Sequence, residues 1–185
     1  YVPDDNFEQA LIDLGHDDVL NDYVVTSNIS SLTDIDLRFQ GIVDMTGIED
    51  FTALTQLQIQ ANNTIQGHLD LSNNTNLVHV YCDRNLITSI DVSNLTNLRT
   101  LRAYQNNIAS IDVSTNTQLD FLDLSDNQLQ SVDVTDNMLL TRLLVNNNPN
   151  IDELNIKNGT NANITEFSAT GNTNLSCIEV DDAAA

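Results

Sequence analysis

Basic residues are nearly absent from this chain. Its 185 residues hold six Lys and Arg against 27 Asp and Glu, a formal net charge of −21. A surface of that sign repels nucleic acid and anionic membranes and suits a salty or extracellular medium. Two prolines and six glycines exclude collagen-like and linker compositions. No apolar run approaches the roughly 18 residues needed to cross a bilayer, so no direct membrane insertion is expected. Two cysteines, Cys82 and Cys177, make neither a disulfide framework nor a zinc site. The GxSxG, HExxH, P-loop and dinucleotide fingerprints are missing, and His16, His68 and His79 fall in separate units. Tyr1 does not open a signal peptide. The expectation is a mature or trimmed fragment, monomeric, with residues 183–185 as a vector-derived tail.

What is present is a repeat. The chain matches itself at a period of about 21 residues, with units starting at Leu77, Leu98, Leu119 and Leu140. Leu98, Leu101, Ala103, Asn106 and Ile108 are followed by Leu119, Leu122, Leu124, Asn127 and Leu129, so both units read LxxLxLxxNxL. Degenerate copies start at Leu32, Leu54 and Ile164, stretched by insertions near residues 63–67 and 157–162. A second segment repeats as well: Leu69-Asp70-Leu71, Ile90-Asp91-Val92, Ile111-Asp112-Val113 and Val132-Asp133-Val134. Both segments alternate with period 2, the mark of a short strand with one face inward. Such a coil cannot bury its apolar face alone, and stacking against its neighbours supplies the core. Asn62, Asn85, Asn106, Asn127, Asn148 and Asn172 recur at one place. There they are expected to form a structural ladder that satisfies backbone groups where the chain leaves the strand. Cys82 takes an inward Leu position and reads as a small core hydrophobe.

LxxLxLxxNxL, recurring in register over residues 32–180, resembles the leucine-rich-repeat motif. With IDVSxNT after the Asn, the unit is similar to that of secreted bacterial leucine-rich-repeat proteins. The segment from Val2 to Leu11 and the segment from Gly47 to Leu54 resemble the amino-terminal cap of that group, and Asn174 to Asp181 its last repeat. The resemblance implies an α/β solenoid with short parallel strands on both faces and an amino-terminal helical cap. It also implies an extracellular or bacterial cell-surface location, and a continuation into a further cap and sorting segment that would hold a partner for Cys177. The expected organisation is a cap over residues 1–31, a solenoid of about seven coils over 32–182, and the tail. A helix is expected over residues 4–14, burying Phe7, Leu11 and Leu14 on one face, starting near Asp4 or Asp5 and closed by Gly15. Asp17, Asp18 and Asp22 beyond it lack the glycine and bidentate Glu of an EF-hand.

The outward positions of the LxL strands would form the concave face, the usual recognition surface of a solenoid. Five of the six basic residues (Arg38, Arg84, Arg99, Arg102 and Arg142) lie on or beside these strands, and only Lys157 does not. His79, Tyr81, Tyr104 and Phe121 are also outward in successive coils. The candidate ligand-binding set is therefore His79, Tyr81, Arg84, Arg102, Tyr104, Phe121, Asp123 and Arg142, a hot-spot composition. Cross-strand pairing alone would also account for such neighbours. Asp70, Asp91, Asp112 and Asp133 stack on the opposite face. They are either screened by water, salt and turn donors such as Ser72 and Ser93, or bridged by calcium, which wants six to eight oxygens where the ladder offers few per site. No other cofactor is expected.

The function expected is non-enzymatic recognition or adhesion, with the concave face binding a protein or a polysaccharide. Two alternatives stand beside it. One is a structural spacer of a larger surface protein. The other is a parallel β-helix carbohydrate-active enzyme with Asp120, Asp123, Asp126 and Arg102 as its cluster.

Overall fold

Three alternating residues suffice for one short strand, and the computed structural model, which describes residues 1–181, places such a strand in nearly every half-coil. In chain order the first six are β1 (Asp34–Asp36), β2 (Gln56–Gln58), β3 (Gln66–Asp70), β4 (His79–Tyr81), β5 (Leu86–Asp91) and β6 (Thr100–Arg102). The rest are β7 (Phe121–Asp123), β8 (Ser131–Asp133), β9 (Arg142–Leu144), β10 (Glu153–Asn155), β11 (Glu166–Ser168) and β12 (Cys177–Glu179). β1, β2, β4, β6, β7, β9 and β11 line up as one seven-stranded sheet in which every pair is parallel. Parallel pairing follows from the coil, because each strand is reached by going once around.

The register stacks Ile35, Leu57, Val80, Leu101, Leu122, Leu143 and Phe167 in one inward row. All but Phe167 are buried, and burying one such side chain contributes about 1.5–3 kcal/mol. Phe167 stays half-exposed because no further strand of this sheet covers β11 among the described residues. The insertions that lengthen the outer coils sit on the opposite side, around β3 and around residues 157–162, and leave this register intact.

The opposite face departs from expectation. Strands form there only in two patches, β3 with β5 and β12–β10–β8. The expected strand Ile111-Asp112-Val113 is absent, and no sheet joins β5 to β8. A crevice opens there instead, lined by Ile111, Asp112, Val113, Ser114, Asp133 and Thr135. Like charge along the Asp ladder does not by itself forbid pairing, since Asp70 and Asp91 are register partners in β3 and β5. Each ladder Asp turns to its own chain: Asp70, Asp91, Asp112 and Asp133 accept from the N–H two residues on, in Ser72, Ser93, Ser114 and Thr135. Residue 182 and the tail 183–185 lie outside the described residues.

The asparagine ladder is present. Asn127 is fully buried. It donates to the carbonyls of Ala103, one coil back, and of Leu124, and accepts from the Ile108 N–H at 2.9 Å. Asn106 and Asn148 repeat the pattern, while Asn172 is only partly buried. Asn85 keeps its donor bonds, but its Oδ1 has no partner. The coil before it is longer, with 23 residues from Asn62 to Asn85 against 21 from Asn85 to Asn106, although Leu86 N–H still bonds the Ile65 carbonyl as Asn107 and Gln128 bond Ile87 and Ile108. A second ladder went unforeseen. Asn74, Asn116, Asn137 and Asn158, the N of IDVSxNT, are buried and tie each coil to earlier carbonyls. Leu95 interrupts it.

Before each ladder Asn, and before Gln40 at the equivalent place of the first coil, the backbone turns left-handed. Phe39, Ala61, Arg84, Gln105, Asp126, Asn147 and Gly171 all have positive φ, between 55° and 77°. Gly171 adopts this region freely and Asn147 and Asp126 tolerate it, whereas the other four do so rarely.

The cap is a helix, α1 (Asp5–Asp13), with Asp4 as N-cap. Asp4 Oδ1 accepts from Asn6 and Phe7, and Oδ2 accepts from Val43 and Asp44, so one carboxylate starts the helix and ties it to the first coil. Phe7 stacks on Phe51 at 6.1 Å between ring centres. Leu14, expected on the buried face, is exposed, because it stands past the helix end where Gly15 turns the chain. Glu8 takes the inward place unannounced. It is 0% exposed, and its carboxylate accepts from the N–H groups of Asn21, Asp22 and Tyr23 at 2.9–3.1 Å. Gly47 (φ 106°) is required beside it, since a Cβ there would stand 2.7 Å from Val2 Cγ2.

Two outcomes follow, both measured by denaturant unfolding. Asn127→Ala, which leaves the Ile108 N–H without its acceptor and takes one of two amide donors from the Ala103 and Leu124 carbonyls, costs about 2 kcal/mol, and Asn85→Ala costs less because its Oδ1 accepts nothing. Glu8→Ala costs about 3 kcal/mol and speeds amide exchange at Asn21, Asp22 and Tyr23, since their donors lose a buried acceptor.

Candidate recognition surface

Parallel stacking turns spacing within a strand into rows across the seven-stranded sheet. One row carries His79, Thr100, Phe121 and Arg142. The next carries Tyr81, Arg102, Asp123 and Leu144. Two residues on, Asp83, Tyr104 and Ser125 align, and Arg84 lies beyond them in the left-handed row. Tyr81, Tyr104 and Phe121, expected outward in successive coils, thus occupy three different rows, with Tyr104 two positions beyond the place of Tyr81 and Phe121 two positions before it.

Across these rows several of the candidates touch. His79 stacks on Tyr81, with centroids 6.3 Å apart. The Arg102 guanidinium lies 5.8 Å from the Tyr81 ring centre and 5.4 Å from that of Tyr104. Arg84 lies 5.6 Å from Tyr104. Arg142 covers Phe121 at 3.9 Å, a pair of its own. Cation–π pairs of this kind contribute about 0.5–1 kcal/mol each at exposed sites. Arg38 stands apart, bonded to Asp36 at 2.6 Å, and that guanidinium holds the Asp36 carboxyl below its ordinary range. Among the described residues Arg84 and Arg142 form no ion pair.

Two carboxylates lie under these side chains. Asp123 is mostly buried and accepts from the Ser125 N–H at 3.1 Å. Burial pushes its pKa up despite that bond. Asp83, which the sequence reading passed over, is 3% exposed. Its Oδ1 has no hydrogen-bond partner, and Arg102 Nη2 stands 3.9 Å away. Burial, and then the neighbouring Asp83 charge, push the Tyr104 phenol up. Nothing in the sequence marked Asp83 as buried, because the side chains around it come from a different coil.

Of the residues proposed for enzymatic work, Arg102 and Asp123 are register partners, and each carboxylate is held by a neighbouring donor. Thr141 donates to Asp120, Asn147 to Asp126, and Asp123 has Ser125. Among the described residues no three His, Cys, Asp or Glu side chains are grouped to hold a metal. Cys82 is a buried thiol whose pKa burial raises, and Cys177 is exposed in β12; both are free.

No protein-family model matches the chain, and no curated protein matches it. Solved structures do. The functional domain of InlJ from Listeria monocytogenes, which includes a cysteine ladder, is 29% identical with a TM-score of 0.75, over 97% of this chain and 46% of that one. Internalin InlF from the same organism is 21% identical with a TM-score of 0.55, over 97% of this chain and 56% of that one. Internalin C2, also from Listeria monocytogenes, is 16% identical with a TM-score of 0.52, over 97% and 94%. This chain spans about half the length of the first two. The fold is a leucine-rich-repeat solenoid like that of the internalins. It has no cysteine ladder of its own, because Cys82 shares its inward row with Leu37, Ile59, Ala103, Leu124 and Val145.

Two carboxylates, one exposed and one buried, give a pH test. Asp112 has a lowered pKa, through its bonds to Ser114, so its stabilising effect is present at neutral pH and fades as pH falls. Asp123 works in the opposite sense. Its raised pKa makes the charged form a cost at neutral pH, relieved as acid protonates it. Asp123→Asn therefore raises the melting temperature at pH 7, and the gain shrinks as pH falls towards the carboxylate range. A gain independent of pH contradicts this assignment.

Proposed function

We propose that the chain is a non-enzymatic, extracellular or cell-surface recognition module that binds a protein through its seven-stranded face, the concave side of the solenoid. The observation that carries this reading is the set of guanidinium–ring contacts on this face. In a chain with 27 acids and six bases, Arg84, Arg102 and Arg142 gather on one face, each lying against an aromatic ring. Stacking holds these long side chains in place before any partner arrives, which lowers the ordering cost of binding. Tyrosine and arginine are also the residues that dominate protein interfaces. The internalin-like fold supports the same reading, and no described helix is long and apolar enough to cross a membrane. A polysaccharide reading would need ring faces open for sugar stacking. Guanidinium groups lie against Tyr104 from Arg84 and Arg102, and against Phe121 from Arg142, which favours the protein.

The test sets the purified domain against a panel of extracellular-matrix and cell-surface proteins, beside a glycan array. A protein on the panel is expected to bind. Tyr81→Ala with Phe121→Ala weakens that binding at least ~10-fold, as hot-spot truncation does. Asp91→Asn on the opposite face leaves it unchanged. Hits confined to the glycan array, or protein binding indifferent to the double variant, would overturn the reading.

A further inference from the structure

We infer that Tyr81, Tyr104, Asp83 and Asp123 form a cage for a guanidinium group, now filled by the chain's own Arg102, and that an arginine side chain of the protein partner takes its place on binding. The inference rests on the proposed recognition role of this face and names the chemistry at its centre.

Three observations carry it. First, the walls are right for a flat cation. The Arg102 guanidinium lies 5.8 Å and 5.4 Å from two tyrosine ring centres, the arrangement in which π faces attract positive charge. Second, the floor is only partly satisfied. Asp83 is 3% exposed; its carboxylate interacts with the Tyr104 phenol, but its Oδ1 accepts no hydrogen bond. Buried carboxylates ordinarily have donors at both oxygens, because leaving one without them is costly. Arg102, at 3.9 Å, neutralises Asp83 without donating to it. Extending the pairing of β2 with β4 by two residues sets Gln60 beside Asp83, and Gln60 Oε1 is a second buried acceptor with no donor. A guanidinium carries five donors in a planar fork and could serve both oxygens. Arg102 is tethered to β6 and does not reach them.

Third, the charge balance fits exchange and not addition. Arg84 already lies against Tyr104, so a second cation beside Arg102 would be repelled. Replacing Arg102 keeps the local charge constant while adding hydrogen bonds to Asp83. The strongly acidic chain steers a basic partner towards the site from a distance. Arg102, with its side chain 36% exposed, has water to swing into.

The test uses the whole chain and two peptides, acetyl-Gly-Arg-Gly-amide and its citrulline counterpart, which has nearly the same shape without the charge. Binding is followed through the NMR ring signals of Tyr81 and Tyr104. The arginine peptide is expected to shift both in the wild-type chain, and the citrulline peptide neither. Arg102→Ala, by emptying the cage, tightens the arginine peptide at least ~10-fold and also binds free ethylguanidinium. Adding Asp83→Asn abolishes both effects. Arg102→Gln serves where the alanine variant does not fold. Three outcomes overturn the inference: equal binding of the two peptides, binding unaffected by Asp83→Asn, or binding seen only after Arg102 is removed. The last would leave a cage that the chain fills for itself alone. If the peptides fail while a protein still binds in a Phe121-dependent way, the cage is wrong and the recognition face stands.

Discussion

A solenoid must repeatedly turn its backbone off a strand inside its own core, where water cannot satisfy the N–H and C=O groups left behind. The rest of this structure depends on how that is solved. Each coil inserts one buried asparagine at the end of its strand, and its amide reaches carbonyls on two coils and a donor on one. An apolar residue there would orphan the N–H and leave each carbonyl one amide donor in place of two. A charged one would bury a charge. The amide alone supplies donors and an acceptor without charge, and so it fixes the coil period, which in turn sets the strand register.

The register then determines the face. Strands three residues long carry little specificity, but stacked in register they bring residues 21 positions apart side by side. Arg102 meets Tyr81 because one coil separates them, and meets Tyr104 because two positions along a strand point the same way. Every stacked guanidinium on this face is a product of that geometry. So is the burial of Asp83, which has ring neighbours before and beside it.

Much of this was legible in advance. The inward Leu rows and the first asparagine ladder followed from periodicity, because a repeated position declares its environment each time it recurs. The arginines and aromatics were correctly assigned to one face, but their rows were not, since Tyr104 lies two positions beyond the place that Tyr81 holds. Features without recurrence were invisible. Glu8 looks like any polar helix residue until the loop at Asn21 to Tyr23 folds over it. The missing strand at Ile111 to Val113 has the same letters as its neighbours; what differs is the contact between coils. The second ladder did recur, as the N of IDVSxNT, and could have been read the same way. The left-handed row hid because Phe, Arg and Gln occupy it as well as Gly.

The ladder also has a direction. Asn106, Asn127 and Asn148 all bond to carbonyls and N–H groups of their own coil or of the coil before, and none reaches forward. A coil is therefore finished by its successor. On a chain emerging from the ribosome amino end first, the newest coil always waits for the next asparagine, so ordering trails synthesis by about one repeat. The helix α1 closes the opposite end from the outset, and completion spreads from it in the order in which the chain is made.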